Sequence, residues 1–506
     1  IKRRTFKRKK TCMDPWGKIA HLSKDGIRDL QNKKLASFVN TYLYPFSPHY
    51  RRLFDQHNID PKSIKTTDDL KAVPFTSKHD FFAPEEDPEK FRDFILQPTK
   101  ETIRKYWPVA KSARLALASM VRGEEYVQDR LAVEFRPSFM TFTTGTTELP
   151  ISYLYTGYDM NNLRMSGSRM LHLFDIEGSD RIVNMFPYAP HLAFWQVVFG
   201  GLDSNVLIMS TGGGKTLGTG GNIAALLKMK PAVLVGVPCY VYHVLREARD
   251  RGCKMEFLKK IVLGASRINK GFKAKVAELL NDMGATDVSV LGTYGFTEAR
   301  AAWAECPTGI NISSGYHLYP DKEIFEVIDP ETGEVKGEGE DGEIVYTSID
   351  ARGSVVLRYR TGDFVKGGIT YEPCPHCGLH VPRIASDITR LSDVKDLQLS
   401  KIKGSLVNLN NFMSILSEIQ GVDEWQIELR KKDNDPFEVD EVVVFVCKRA
   451  GADDEPLKEE IRKKMLLLTE VTPNEVHFIE LPEMVKRLEL ETANKAKRIL
   501  DTRPKD

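Results

Sequence analysis

Apolar positions between residues 25 and 99 recur at helical spacing, broken by proline-marked joints such as Tyr44-Pro45 and Val73-Pro74. From Val109 to Gln128 the helical period returns, with Leu117, Met120 and Val121 on one apolar stripe, a pattern read as core packing. From Arg181 the texture changes to short runs rich in Val, Ile and Leu: Ile182-Val183, Val206–Ile208, Ala232–Val237, Ile261–Leu263 and Val288–Leu291. Helix-like stretches such as Ile223–Lys230 and Tyr240–Arg249 lie between them. Continuous apolar strands alternating with helices predict an α/β fold, a mostly parallel sheet covered by helices on both faces. From Ile324 the segments shorten and turn signals multiply, as in Asp329–Gly333 and Gly337–Gly342, which predicts a small β-rich subregion. Beyond about 390 follows a stretch of domain size. Trp425–Leu429, Val442–Val446 and Val476–Leu481 read there as strands, and Pro456 opens a helix with Leu457, Ile461 and Met465 on one face. The expected division is a body over 1–390 and an α+β lobe over 391–506. Within the body, 84–137 is an extra, partly helical stretch and 324–390 is the β-rich subregion.

Composition narrows the class. A chain of 506 residues exceeds one compact core, so two or three domains are expected. With 42% hydrophobic and 28% charged residues and a formal net charge of +2, it is not built around nucleic acid or an anionic membrane surface. The exception is the start, with seven Lys or Arg between Lys2 and Lys10, read as a solvated tail. The most apolar stretch, Met185–Met209, is interrupted by Pro187, Pro190, His191 and Asp203, so no membrane span is expected. No signal-peptide pattern, internal repeat or low-complexity tract is visible. Seven cysteines (12, 239, 253, 306, 374, 377 and 447) are few and odd in number, which favours a reducing compartment and a cytoplasmic protein.

Several segments carry candidate chemistry. Thr143-Thr-Gly-Thr-Thr-Glu-Leu-Pro150 is a hydroxyl-dense turn whose N–H groups and hydroxyls can surround phosphate oxygens, although alone it reads first as a Ser/Thr-rich surface loop. Thr211-Gly-Gly-Gly-Lys-Thr216 ends like a P-loop, but the required first glycine is replaced by Met209, so it is read as a glycine-rich connection. Thr293-Tyr-Gly-Phe-Thr-Glu298 follows an apolar strand, placing Thr297 and Glu298 where ligand crevices of parallel sheets open and where a carboxylate can hold Mg²⁺. Tyr359-Arg-Thr-Gly-Asp363 follows the run Val355–Leu357 and leaves Asp363 just past a glycine, able to accept two ribose hydroxyls. Cys374-Pro-His-Cys377 is a Cys-x-x-Cys knuckle. With Cys306 and His317 it offers four ligands of zinc type, His376 being a rival ligand and reduced, unligated cysteines the alternative. His191 sits in an aromatic-rich segment with Tyr188, Phe194 and Trp195, read as a core histidine beside residues suited to an apolar acid.

The ordered set of a Thr/Gly loop, Tyr-Gly-x-Thr-Glu, Tyr-Arg-Thr-Gly-Asp and a terminal lysine resembles the adenylate-forming superfamily of acyl-CoA synthetases and luciferases. Within it, the chain is most similar to the phenylacetate–CoA ligase branch. Ser47–Arg52, Leu70–Thr76, Pro231–Pro238, Gly315–Leu318, Ile328–Glu334 and Asn494–Asp501 carry the likeness nearly end to end. The resemblance implies ATP, Mg²⁺ and coenzyme A as cofactors and a small aryl or other apolar carboxylic acid as substrate. It also implies roles. Thr143, Thr144, Gly145, Thr146 and Thr147 would grip the β- and γ-phosphates. Gly264, Ala265, Ser266 and Tyr294 would line the adenine pocket. Thr297 would contact the α-phosphate, Glu298 the Mg²⁺ and Asp363 the ribose, while Lys495 would approach the substrate carboxylate, with Lys497 as the rival lysine. The C-terminal lobe would move to close the site. A homodimer is admitted by this reading. Departures are local. Glu148-Leu149 replaces the loop's usual Gly-Lys, and the hinge motif is reduced to Thr389-Arg390-Leu-Ser-Asp393, with Lys403-Gly404 displaced downstream. The alternatives are an adenylating enzyme with another acceptor (carrier protein, amine or alcohol) and a degenerate nucleotide-binding scaffold.

Overall fold

The computed structural model describes residues 15–81, 87, 89–143, 151–266, 268, 270–310, 312–391, 399–402, 405–408, 415–432, 440–469, 471–492 and 496–503. For 399–402, 405–408, 440, 468 and 469 this covers the backbone only. Helix α1 (Lys24–Phe38) starts at Ser23, whose side chain accepts the Gly26 N–H, and buries Ile27, Gln31, Leu35 and Phe38 on one stripe. Helix α2 (Pro48–Gln56) is capped by Ser47 and buries Tyr50 and Phe54. The Leu357 N–H donates to the Tyr50 hydroxyl at 2.7 Å, and Thr76 donates to the Leu357 carbonyl at 2.7 Å. These two bonds seat the N-terminal helices against the run leading to Tyr359.

Helix α3 (Lys100–Tyr106) is followed by α4 (Val109–Arg122) and α5 (Glu124–Phe135), so the expected helix to Gln128 is two, broken at Gly123 with φ +92°. The expected core stripe is a correction. Leu117, Met120 and Val121 are 62%, 84% and 72% exposed, and α4 buries no residue. Its inward face is Lys111, Ser112, Leu115, Ala118 and Ser119, anchored by the Lys111 ammonium on the Tyr42 hydroxyl at 2.8 Å.

A hairpin follows, β1 (Pro137–Phe142) against β2 (Ser152–Thr156). Helix α6 (Gly157–Leu173) opens with a capping box of Thr156 and Asp159. Then strands and helices alternate: β3 (Arg181–Asn184), α7 (Leu192–Ser204), β4 (Leu207–Ser210), α8 (Gly214–Met229), β5 (Val233–Gly236), α9 (Pro238–Asp250), β6 (Lys260–Leu263), α10 (Lys270–Asp282) and β7 (Ser289–Phe296). The five strands lie parallel in the order β4-β3-β5-β6-β7. β8 (Ala301–Ala304) and β9 (Tyr316–His317) extend this sheet antiparallel. A four-stranded antiparallel sheet, β10-β11-β12-β15, combines β10 (Glu323–Ile328), β11 (Gly342–Ser348), β12 (Tyr359–Lys366) and β15 (Asp387–Arg390). Between its last two members, β13 (Ile369–Thr370) and β14 (Arg383–Ile384) return to the edge of the large sheet, giving it nine strands. The fold is therefore mixed α/β with a mostly parallel main sheet and a β-rich subregion.

The C-terminal residues form their own core of Ile415, Trp425, Ile427, Val444, Leu457, Ile461, Met465 and neighbours. Two short strands, β16 (Leu399–Ile402) and β17 (Ser405–Asn408), precede it. It is built on β18 (Val422–Lys431), β19 (Asp440–Lys448), helix α11 (Asp454–Thr469), β20 (Glu475–Phe478), helix α12 (Leu481–Arg487) and β21 (Ile499–Asp501), with sheet order β20-β19-β18-β21. The third expected strand ends at Phe478 because Leu481-Pro482 begins α12. Among the described residues no helix is long and apolar enough to cross a membrane.

Candidate active site

The parallel strands β6 and β7 run side by side, pairing Leu263 with Gly292, and both motifs leave at their carboxyl ends. Gly264, Ala265 and Ser266 turn there. Ala265 takes φ +67°, and the Thr293 hydroxyl donates to the Leu263 carbonyl at 3.0 Å. β7 continues five residues beyond the predicted strand, through Tyr294 to Phe296, and Thr297 and Glu298 lie in a single 3₁₀ turn at its end. Arg300 holds a left-handed backbone, φ +57°, and pairs with Asp159 at 3.0 Å. Asp159 also accepts the Arg352 and Gly353 N–H groups at 3.0 and 2.6 Å, so one buried carboxylate ties the start of α6 to the turn that carries Glu298.

Strand β12 crosses in front of this turn. Asp363 is not past a strand end, as its position after a glycine suggested, but inside β12, opposite Arg390 of β15. Alternation along β12 puts Tyr359, Thr361 and Asp363 on one face. The Tyr359 hydroxyl donates to Glu298 at 2.8 Å and the Tyr294 hydroxyl donates to Asp363 at 2.8 Å, while Arg390 lies 3.2 Å from Asp363. Two motifs some sixty positions apart in sequence are thereby joined through paired Tyr–carboxylate contacts.

The electrostatics follow. Burial raises the Glu298 carboxyl above its usual range, while the hydrogen bond from Tyr359 lowers it. Burial also pushes the Tyr294 and Tyr359 phenols well up, aided by Asp363 and Glu298 respectively. The carboxylate of Asp363 raises Arg390. A half-buried Glu298 disfavoured as an anion suits a cation ligand, because an incoming cation stabilises the charged form. The residues at hand therefore fit a Mg²⁺ ion at this carboxylate.

Other predicted residues are distributed unevenly. Thr143 closes the β1–β2 hairpin, donating its N–H to the Ile151 carbonyl at 3.1 Å and accepting the Ile151 N–H on its hydroxyl. Thr144, Gly145, Thr146, Thr147, Glu148 and Leu149 lie outside the described residues, as does Lys495. Lys497 is described. Its ammonium pairs with Glu489 at 2.6 Å on the lobe's own surface. His191 Nδ1 lies 3.2 Å from the Phe142 carbonyl, beside a cluster in which Tyr188 meets Phe194 at 4.9 Å.

The cysteine segment closes on itself. Ligand atoms of Cys306, His317, Cys374 and Cys377 all lie within 4.8 Å of one another. Cys306 and Cys374 sulfurs are 3.7 Å apart, near the roughly 3.8 Å edge of a tetrahedron with Zn–S bonds of about 2.3 Å. His317 Nε2 is 3.3 Å from the Cys377 sulfur, and its Nδ1 lies 3.1 Å from the Ala304 carbonyl, leaving Nε2 for a metal. Burial works against protonated His317, yet the Cys374 and Cys377 sulfurs raise it to about 9. His376, the rival ligand, is not part of this cluster.

Sequence reasoning gave no task to Tyr359, although it stands in a quoted motif and the two-residue alternation of β12 places it beside Asp363. Arg390 was noted only as part of a hinge, and Asp159 was missed. Its signal was Thr156-x-x-Asp159, a capping pattern.

Residues 54–353 match the family described as AMP-binding enzyme, more than half of the chain. The phenylacetate-coenzyme A ligase of Thermus thermophilus is 26% identical over 377 residues, 74% of this chain and 72% of that protein. That of Aromatoleum evansii is 26% identical over 352 residues, 69% of this chain and 68% of that protein. Among solved structures, 2-hydroxyisobutyryl-CoA ligase in its postadenylation state with 2-HIB-AMP gives a TM-score of 0.72 at 17% identity, covering 98% of this chain and 94% of that one. The same ligase with 2-HIB-AMP and CoA in its thioesterification state gives 0.59 at 18% identity, covering 96% and 91%. The chain belongs to the AMP-binding enzyme family of adenylate-forming ligases, in its phenylacetate–coenzyme A ligase-like branch.

Proposed function

We propose that the protein joins an apolar carboxylic acid to AMP at the expense of ATP and passes the acyl group to coenzyme A. The observation that supports this best is the crossing of β12 over the end of β7, where Tyr359 meets Glu298 and Tyr294 meets Asp363. Two carboxylates so held match the two tasks of adenylation, one beside a phosphate-bound cation and one beside a ribose.

A substrate carboxylate oxygen attacks the α-phosphorus, the bond to pyrophosphate breaks, and anion must approach anion. The protein offsets that repulsion where charge develops. In this reading the loop Thr143–Thr147 grips the β- and γ-phosphates, Thr297 donates to the α-phosphate, and Glu298 holds the Mg²⁺. Bound there, the ion supplies charge neutralisation between the phosphates. Asp363 accepts the ribose hydroxyls, oriented by Tyr294 and Arg390. Gly264–Ser266 and Tyr294 flank the base. Lys495 approaches the carboxylate from the lobe over 391–506, which closes over the site and excludes water from the labile mixed anhydride. In the second step the thiol sulfur attacks the acyl carbon and AMP leaves. Tyr188, Phe194 and Trp195 favour an aryl or other apolar acid. The four-ligand cluster is read as a structural zinc site. Seven cysteines, few for the length and odd in number, favour a reducing, cytoplasmic setting.

Acid-dependent ATP–pyrophosphate exchange over a panel of aryl and alkyl acids tests the reading. Glu298→Gln is expected to lower exchange with the best acid by about 100-fold or more, the scale of losing one transition-state electrostatic contact. Exchange within twofold of wild type would remove Glu298 from the proposed role.

A further inference from the structure

The Thr211–Thr216 segment, rejected as a P-loop, faces the C-terminal lobe. A Cβ added at Gly214 would lie 3.0 Å from both the Cα and the carbonyl oxygen of Glu491, so the lobe's backbone packs directly on the start of α8. Helix α8 is interrupted at Gly218, φ +63°, and the next residue, Thr219, donates its hydroxyl to Glu491 at 2.7 Å. The same hydroxyl lies 3.1 Å from His243 of α9. Asn222 braces this seat, its amide nitrogen lying 3.1 Å from the Gly213 carbonyl, 2.7 Å from the Gly218 carbonyl and 3.0 Å from the Tyr240 hydroxyl. A tight, side-chain-free approach and a specific hydroxyl–carboxylate bond therefore coincide on one lobe residue.

A second contact stands on α9. Asp423, at the start of β18, accepts the Tyr242 hydroxyl and the Arg246 guanidinium, each at 2.6 Å. The pair is buried, with side chains 1% and 12% exposed. Nε and Nη2 of Arg246 have no hydrogen-bond partner among the described residues, so the direct hydrogen bonding of this buried cation depends on a carboxylate from the other domain. Removing one partner of such a pair is strongly unfavourable. Lys275 on the Val422 carbonyl at 2.8 Å and Arg498 against the Cys239 sulfur at 3.6 Å add neutral-acceptor contacts, and Arg449 to Glu278 at 2.9 Å involves a carboxylate 62% exposed and contributes little.

We propose that Glu491 on Gly214 and Thr219, together with Asp423 on Tyr242 and Arg246, forms a two-point dock that holds the lobe in the orientation used to make the acyl-adenylate. Glu491 precedes Lys495 by four positions in the sequence, so the first point stands close along the chain to the lysine assigned to adenylation above. These are positioning residues, acting through the placement of another group. The dock has to release for the lobe to turn toward the thiol step. The inference rests on the function proposed above.

Gly214→Ala, Thr219→Val and Asp423→Asn test it, with Thr219→Ser as the conservative control. Two half-reactions are measured on each protein: acid-dependent ATP–pyrophosphate exchange, and thioester formation from supplied acyl-adenylate and coenzyme A. The first three variants are expected to lose about tenfold in exchange and to stay within about twofold in the thioester step, while Thr219→Ser keeps both. Parallel losses in both steps, or unchanged exchange, overturn the dock. Small-angle X-ray scattering without substrates reads the lobe independently of catalysis. The three variants are expected to show a larger radius of gyration than wild type with an unchanged far-ultraviolet circular dichroism spectrum, and identical scattering overturns the dock. Absence of wild-type exchange with every acid would sink the proposed function, while the scattering comparison still decides whether the dock exists.

Discussion

Glu323 shows how one buried carboxyl couples this fold to pH. It accepts the Trp303 indole N–H at 2.6 Å and the Tyr319 N–H at 2.8 Å, and burial lifts it to about 8. An acid whose folded value lies above its unfolded value binds the extra proton in the native state. Its contribution to stability is therefore full below the unfolded value and is lost as pH rises through about 8. Glu323→Gln keeps an oxygen for both donors and cannot ionise. Its stability advantage over wild type is expected to grow between pH 5 and 8, on the order of 1 to 3 kcal/mol, in urea unfolding followed by fluorescence. A constant difference across that range would rule the coupling out. At this scale the sequence was legible where chemistry has a fixed spacing. Cys374-x-x-Cys377 and the Tyr-Gly-x-Thr-Glu run can be read directly, whereas the partner of Asp363 depends on a strand pairing with Arg390 that no local pattern encodes.

At the scale of elements, α4 shows why period and orientation are different information. Its apolar positions recur correctly for a helix, but its inward side is chosen by what it packs on. The Lys111 ammonium lies over the Tyr42 and Trp107 rings, at 4.1 and 3.8 Å from their centroids, while Leu117, Met120 and Val121 point out. Leu117→Gln and Met120→Gln are each expected to change unfolding free energy by no more than about 0.5 kcal/mol, against 2–5 kcal/mol for buried positions. The cysteine cluster is the converse case. It bridges the ends of β8 and β9 to the loop between β13 and β14. Metal analysis after purification without chelators is expected to give zinc near one per chain. Cys374→Ser is expected to lose it and to unfold several degrees lower, since bound metal stabilises the folded form that presents its ligands. A metal content near zero would overturn the zinc reading.

For the whole molecule, alternation of apolar runs and helices was enough to anticipate the parallel sheet, because strands buried on both faces leave a strong signal. The antiparallel extension and its last two strands were not anticipated. Ile369–Thr370 and Arg383–Ile384 are too short to show a period, and their place at the edge of the large sheet is a long-range fact. That edge has a consequence for synthesis. Ile384 pairs with Tyr316, and Arg383 with His317, so the main sheet acquires its final strands only after residue 384 has been made. Until then β9 presents an unpaired edge to the crowded surroundings of the ribosome, the kind of exposure that invites association between nascent chains. The stretch that ends the exposure also brings Cys374 and Cys377 to Cys306 and His317, so sheet closure and assembly of the four-ligand cluster belong to one late event in biogenesis.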